Sequence, residues 1–298
     1  MPVLTSPESR PRGIRSHGAR SRGSRRVRST IDARGSGIPR LLWLPAGVAL
    51  CFLVLPLVAM VARTPWGTLP GQLFSPAVGA ALWLSLVSAF SATALCLVLG
   101  VPLAWVLARS TTWPAVPRRL LRALVLVPLV LPPVVGGIAL LLLLGRNGIV
   151  GVYLDQWFGI TIPFTTAAVV IAEAFVAMPF LVLAVDGALR GADRRFEDVA
   201  ATLGASRWYI FRRVTLPLIA PGVTAGAVLC FARALGEFGA TITFAGSLPG
   251  VTQTMPISAY LAMQSNPDGA IILSLLLLVV SIAVLVSLRD RWVSGVTA

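Results

Sequence analysis

The sequence predicts an all-α integral membrane protein: six transmembrane helices behind a disordered, arginine-rich N-terminal tail. Three observations lead there. Hydrophobic residues make up 56% of the 298 and charged residues only 12%, with a mean hydropathy of +0.86, which is not the composition of a soluble domain. The apolar residues gather into six runs long enough to cross a bilayer. Arginines crowd into alternate inter-run segments, as they do in the cytoplasmic loops of multi-pass proteins.

Residues 1–40 carry ten Arg against Glu8 and Asp32, among many Ser, Gly and Pro. Such a segment buries too little apolar surface to offset its chain entropy, so disorder is expected. The formal charge of +14 comes mostly from this tail, so no nucleic-acid-binding face is inferred from it. Three readings fit the tail: a basic cytoplasmic anchor beside anionic lipid, a translation start assigned too early, or a cleaved twin-arginine signal at Arg25 and Arg26. The composition favours the first, and the apolar run that starts only at Leu41 argues against the last. The one histidine, His17, reads as a solvated tail residue.

Leu41 to Ala62 is an uncharged run that as a helix rises about 33 Å, enough for a hydrocarbon core of about 30 Å. This is the first span. The second lies within residues 78–108, the third runs from about 123 to 144, and the fourth from 165 to 185. The fifth covers 216–240 and the sixth 270–288, with a cytoplasmic loop at 190–217. Pro128, Pro132 and Pro133, followed by Gly136 and Gly137, predict a kinked third helix whose freed carbonyls need partners on neighbouring helices. With the N-terminus inside, 22 of the 25 arginines fall in cytoplasmic segments; Arg63 and Arg146 lie outside and Arg233 within the fifth span. Both termini are therefore expected in the cytoplasm.

Several chemistries are excluded or unsupported. There is no lysine, so the chain has no Walker phosphate-binding loop and no Schiff-base amine. Cys51, Cys96 and Cys230 each lie inside an apolar run, without the spacing of a disulfide or zinc framework. No nucleophile, base and orienting partner occur together, so neither a catalytic residue nor a metal ligand is assigned.

The loop between spans four and five is built rather than merely connecting. Asp193 can cap a helix whose apolar residues Phe196, Val199, Ala200 and Leu203 share one face. Gly204 supplies a left-handed stop, and Ser206 can cap a second short helix. Two short helices with a small-residue corner make a knob able to dock in a partner's groove, or an amphipathic loop lying on headgroups. Asp198-Val199-Ala200, Gly204 six residues after Asp198, and then Leu216-Pro217 resemble the EAA loop of ABC importer permeases. Asp198 stands for the family's Glu and Val199 for its first Ala. The stretch from Gly100 through Pro102 and Ala104 to Arg109 is similar to the family's Gly-x-Pro-x-Ala segment. The resemblance covers roughly residues 78–290.

It implies the type I ABC importer fold over that range, in a subunit with no ATPase site and no cofactor of its own. ATP and magnesium would be held by a separate dimer of ATP-binding subunits, whose cleft takes the knob. Glu197 and Asp198 would then pair with basic residues of that partner, while Ala200 and Gly204 permit close approach; Val199 and Leu203 complete the coupling loop. An extracytoplasmic binding protein would deliver the substrate, and a second copy of the permease would complete the pore in the bacterial cytoplasmic membrane.

In the fifth span Arg233 and Glu237 are four residues apart on one helix face. At membrane depth such groups cost about 2.5 to 3.5 kcal/mol each, so mutual neutralisation is favoured over direct substrate contact. The stretch Gly236-Glu-Phe-Gly-Ala-Thr241 resembles molybdate permeases, as does Thr254-Met-Pro-Ile-Ser-Ala-Tyr260; the sulfate branch usually has Tyr and Ser where Phe238 and Ala240 stand here. Thr241, Thr243 and Ser247 are hydroxyl donors near the outer end of the path, where an oxyanion would arrive, or else ordinary helix-end and loop residues. The resemblance implies molybdate import, with a sulfate or thiosulfate permease as the alternative. Glu173, mid-span in the fourth helix, keeps open a proton-coupled carrier; Asp186 reads as an interfacial acid paired with a loop arginine.

Overall fold

The structure, a computed structural model, describes residues 40–293. The tail's expected disorder and the setting of His17 lie outside the described residues. The chain divides into two units, residues 1–53 and 54–298, with the division inside the first helix, α1 (Arg40–Ala62). That helix has 23 residues and no polar face.

In the second unit α2 (Leu69–Leu73) leads into the 34-residue α3 (Pro76–Arg109). Ser75 starts α3 by accepting the Val78 N–H at 3.4 Å, with Pro76 at its first position. Then come α4 (Ala115–Val130), α5 (Pro133–Leu144), α6 (Gly151–Phe158) and α7 (Thr166–Gly191). After these follow α8 (Arg195–Thr202), α9 (Arg207–Ile210), α10 (Leu216–Leu235), α11 (Gly239–Phe244), α12 (Met255–Ser265) and α13 (Pro267–Val293).

The core lies where α3, α7 and α10 pack together. Its buried residues are largely small, among them Ala89, Ala92, Cys96, Ala104, Ala174, Ala177 and Ala234, with Leu107, Leu181, Val185 and Phe231 filling between them. Lipid tails are as apolar as Leu, so helices in a bilayer associate by close packing, which small residues allow. The most enclosed of the membrane-length helices is α7: 61% of its most apolar stretch is inside, against 22% for α13.

Among the described residues five helices are long and apolar enough to cross a membrane, and a sixth span exists if α4 and α5 count as one. That pair corrects the expected third span. It is not one kinked helix but two helices at 113°. Pro132 and Pro133 together remove two backbone donors, and Leu131, standing before a proline, is driven to an extended conformation (ψ 134°). The helix restarts on the Pro132 carbonyl, which accepts the N–H groups of Val135 and Gly136 at 2.9 and 3.1 Å.

The fifth span also differs from its expected bounds of 216–240. It begins at Arg207, because α9 runs through a five-residue π turn (Phe211–Thr215) directly into α10. It stops at Leu235; Gly236, Glu237 and Phe238 break the helix before α11. Likewise α7 continues to Gly191, so the expected loop 190–217 reduces to residues 192–206, which carry α8 between α7 and α9.

Candidate functional site

Two places gather the residues singled out in the sequence. The first is the knob formed by α8 and α9. Asp193 lies just before α8 and accepts the Arg195 N–H at 2.9 Å. The helix closes with the Gly204 N–H on the Ala201 carbonyl (3.0 Å) and the Ala205 N–H on the Ala200 carbonyl (3.1 Å), the paired bonds of a left-handed stop. Gly204 has φ +83°, which costs a residue with a Cβ about 1 to 2 kcal/mol. Ser206 then accepts the Tyr209 N–H and opens α9. The second helix is not the free-standing piece expected, because it is the first turn of the fifth span.

Phe196, Val199 and Leu203 are exposed, Leu203 at 82%, and so are Trp208 and Tyr209. Asp198 is exposed beside them. Glu197 points the other way, which corrects the expectation that it meets a partner protein. It forms an ion pair with Arg109 at the end of α3, and Thr215 donates to its Oε1 at 2.7 Å. Burial pushes the Glu197 carboxyl up, but the hydrogen bonds from Arg109 and Thr215 outweigh this and hold it below the ordinary value. The Arg109 guanidinium also lies 4.7 Å over the Trp105 ring, and Trp105 meets Phe211 edge-on at 4.9 Å. One carboxylate thus ties α8 to both the second span and the start of the fifth. A groove of about 700 Å³ opens between these elements, lined by Trp105, Arg109, Glu197, Asp198, Trp208 and Phe211.

The second place is the break in the fifth span. Arg233 and Glu237 pair at 2.5 Å, and the other Glu237 oxygen accepts the Ala240 N–H at 2.8 Å. Glu237 is 1% exposed and fully used; the Arg233 side chain is 27% exposed. α11 packs against α5 so closely that a Cβ on Gly137 would overlap the Thr243 hydroxyl and the Ala240 carbonyl. The expected row of donors is not presented in this conformation. Thr241 is wholly buried with no partner for its hydroxyl, and Thr243 donates back to the Gly239 carbonyl at 2.8 Å. Ser247 is half-buried in the loop after α11.

Asp186 pairs with Arg190 at 2.9 Å and with Arg122 at 3.7 Å, both arginines of segments expected as cytoplasmic loops, although the structure draws them into α7 and α4. Sequence reasoning missed Arg109, Thr215 and Trp105 as the knob's holders. A separation of 88 residues hides the Arg109–Glu197 pair; the placing of Arg109 at the end of the Gly100–Pro102 stretch was the available signal.

Residues 100–295 match the model of the binding-protein-dependent transport system inner membrane component family. The chain belongs to this family. A molybdenum transport system permease protein, ModB, of Mycobacterium tuberculosis is 51% identical over 85% of this chain and 95% of its own length. The sulfate transport system permease CysT of Escherichia coli is 36% identical over 85% and 95%. A bacterial ABC transporter for alginate import has the same fold, with a TM-score of 0.63 at 17% identity, covering 85% of this chain and 93% of that one. Like other members of the family, the chain is a multi-pass membrane protein of a transport system.

Proposed function

We propose that the chain is the membrane-spanning subunit of an ATP-driven importer of molybdate. The similarity that carries the substrate is the 51% identity to a molybdenum permease, against 36% to a sulfate permease over a similar share of this chain. The geometry supports the drive: the knob leaves Phe196, Val199 and Leu203 without cover and turns Glu197 inward, as suits a lever gripped by another protein.

In this reading a dimer of ATP-binding subunits holds ATP and magnesium and takes the two knobs of a permease dimer into its clefts. An extracytoplasmic molybdate-binding protein docks opposite, and both termini of the permease lie in the cytoplasm. Closure of the ATPases moves α8 and α9. Because α9 is continuous with α10, and Glu197 links α8 to Arg109 on α3 and to Thr215, the push reaches the second and fifth spans together. The spans then rock about a shared path. Arg233 and Glu237 stay mutually neutralised beside it, so neither an unpaired cation traps the oxyanion nor an unpaired anion repels it.

The test is uptake of labelled molybdate in cells lacking the gene and in complemented cells, with and without excess sulfate. Loss and rescue of uptake that sulfate does not suppress is the expected result. Unchanged molybdate uptake with a sulfate defect would move the chain to sulfate transport. Uptake that persists without ATP but collapses with the proton gradient would make it a proton-coupled carrier.

A further inference from the structure

The importer reading leaves one buried acid unused. Glu173, two turns into α7, is 2% exposed. Its Oε1 lies 2.8 Å from the Ser88 hydroxyl on α3, and its Oε2 has no partner. The Ser88 hydroxyl also lies 3.2 Å from the Ser85 carbonyl. A hydroxyl has one proton to give, so Ser88 can serve both acceptors only by sharing it, which weakens each bond. The conflict disappears if Glu173 carries a proton on Oε1: it donates to Ser88, and Ser88 donates to Ser85. The bare Oε2 is then a neutral carbonyl oxygen, a far cheaper group to leave unpaired than half of a buried carboxylate.

The surrounding charges agree. Around this part of α7 the titratable groups on the packed elements are Cys96 on α3, Cys230 and Arg233 on α10, and Glu237 at the break. α5 and α11 bring none. Cys96 donates to the Ala174 carbonyl at 3.5 Å, and Arg233 is taken by Glu237. The arginine of α4 that reaches α7, Arg122, engages Asp186, about 20 Å further along the helix. Among the described residues no cation balances Glu173.

We propose that Glu173 resides in the membrane as a neutral carboxylic acid that donates to Ser88, positioning α3 against α7 and leaving Glu237 as the one negative charge beside the path. Each copy then contributes one cation and one anion, Arg233 and Glu237, to the path, so a doubly charged oxyanion passes without net repulsion. A charged Glu173 would tip the balance negative.

The transport arm of the test rests on the importer reading, whereas the spectroscopic arm does not. Infrared spectra of the purified full chain in lipid vesicles at pH 7, with Glu173→Gln subtracted, are expected to show the carbonyl band of a protonated carboxyl group, shifted in Ser88→Ala. Bands of a carboxylate alone would overturn the proposal. In complemented cells Glu173→Gln, which mimics the neutral acid, is expected to keep molybdate uptake within twofold of the parent from pH 6 to 8. A tenfold or greater loss, with the protein present in the membrane at the parental level, would overturn it as well. Failure of the parent chain to carry molybdate would sink the importer reading and leave the infrared result to decide this one.

Discussion

The knob and the fifth-span break are opposite solutions to placing polar and apolar groups. The knob turns its large apolar side chains outward and keeps its one critical acid inside, held by Arg109 and Thr215. At the break a buried Glu237 and a half-buried Arg233 neutralise each other, and the helices approach through Gly137 and Ala240. A surface meant for another protein can be under-packed in the isolated chain. A break within the membrane has to find most of its partners inside the chain, because lipid offers no hydrogen bonds.

The largest expected effect tests the packed side of that contrast. Gly137→Val drives a branched side chain into Thr243 and Ala240, and overpacking of this kind costs about 1 to 3 kcal/mol. Thermal unfolding in detergent should fall by several degrees and uptake by tenfold or more; a variant as stable as the parent would show that α5 and α11 are not tightly seated.

Next in size is Gly204→Val, whose cost is conformational, since no atom lies within 4 Å of the place a Cβ would occupy there. Uptake should drop about tenfold with a fall in unfolding temperature smaller than that of Gly137→Val, and Gly204→Asn should recover much of both, because Asn tolerates the left-handed region. Equal damage from Val and Asn would point to a steric role instead.

Glu197→Ala should have a smaller effect, about fivefold on uptake, since one member of its ion pair is 38% exposed and such pairs contribute only about 1 kcal/mol. In a double-mutant cycle with Arg109→Ala the two losses should not add; full additivity would mean the pair does not transmit the push. Leu203→Ser sharpens the contrast from the other side. Unfolding should stay within about 0.5 kcal/mol of the parent, as for other surface changes, while co-purification of the ATP-binding subunit weakens several-fold.

The smallest effect concerns pH. The Glu197 carboxyl is held below its ordinary value of 4.5 in the folded chain, so its contribution is complete above that value and is lost as pH falls through the lower folded one. Knob stability, followed by tryptophan fluorescence of Trp208, should be flat from pH 6 to 8 and decline only in acid.

Uninterrupted apolar runs were legible from hydropathy alone, as α3 demonstrates, lying within two residues of its expected bounds, whereas α7 starts where expected but runs six residues further, into a charged segment that hydropathy reads as loop. Where proline or a buried charge intervenes, hydropathy sees apolar residues but not chain direction, so it merged α4 with α5 and α10 with α11. Gly204 and Ser206 announced their turns because a positive φ and a capping oxygen are local needs. The inward turn of Glu197 is a tertiary fact, fixed by Arg109 on a distant helix, and no periodicity within α8 reports it.

The π turn between α9 and α10 sets an angular offset. There the Leu216 N–H reaches back to the Phe211 carbonyl, five residues away, so the helix holds one residue more than an α-helix would. One residue is about 100° of rotation. Deleting a single residue there would leave composition and hydropathy nearly unchanged, yet swing the Trp208 side of the helix about a quarter turn around its axis. The phase between lever and pore is thus recorded in a residue count, and length variation in this short stretch would be read by the machine as misalignment.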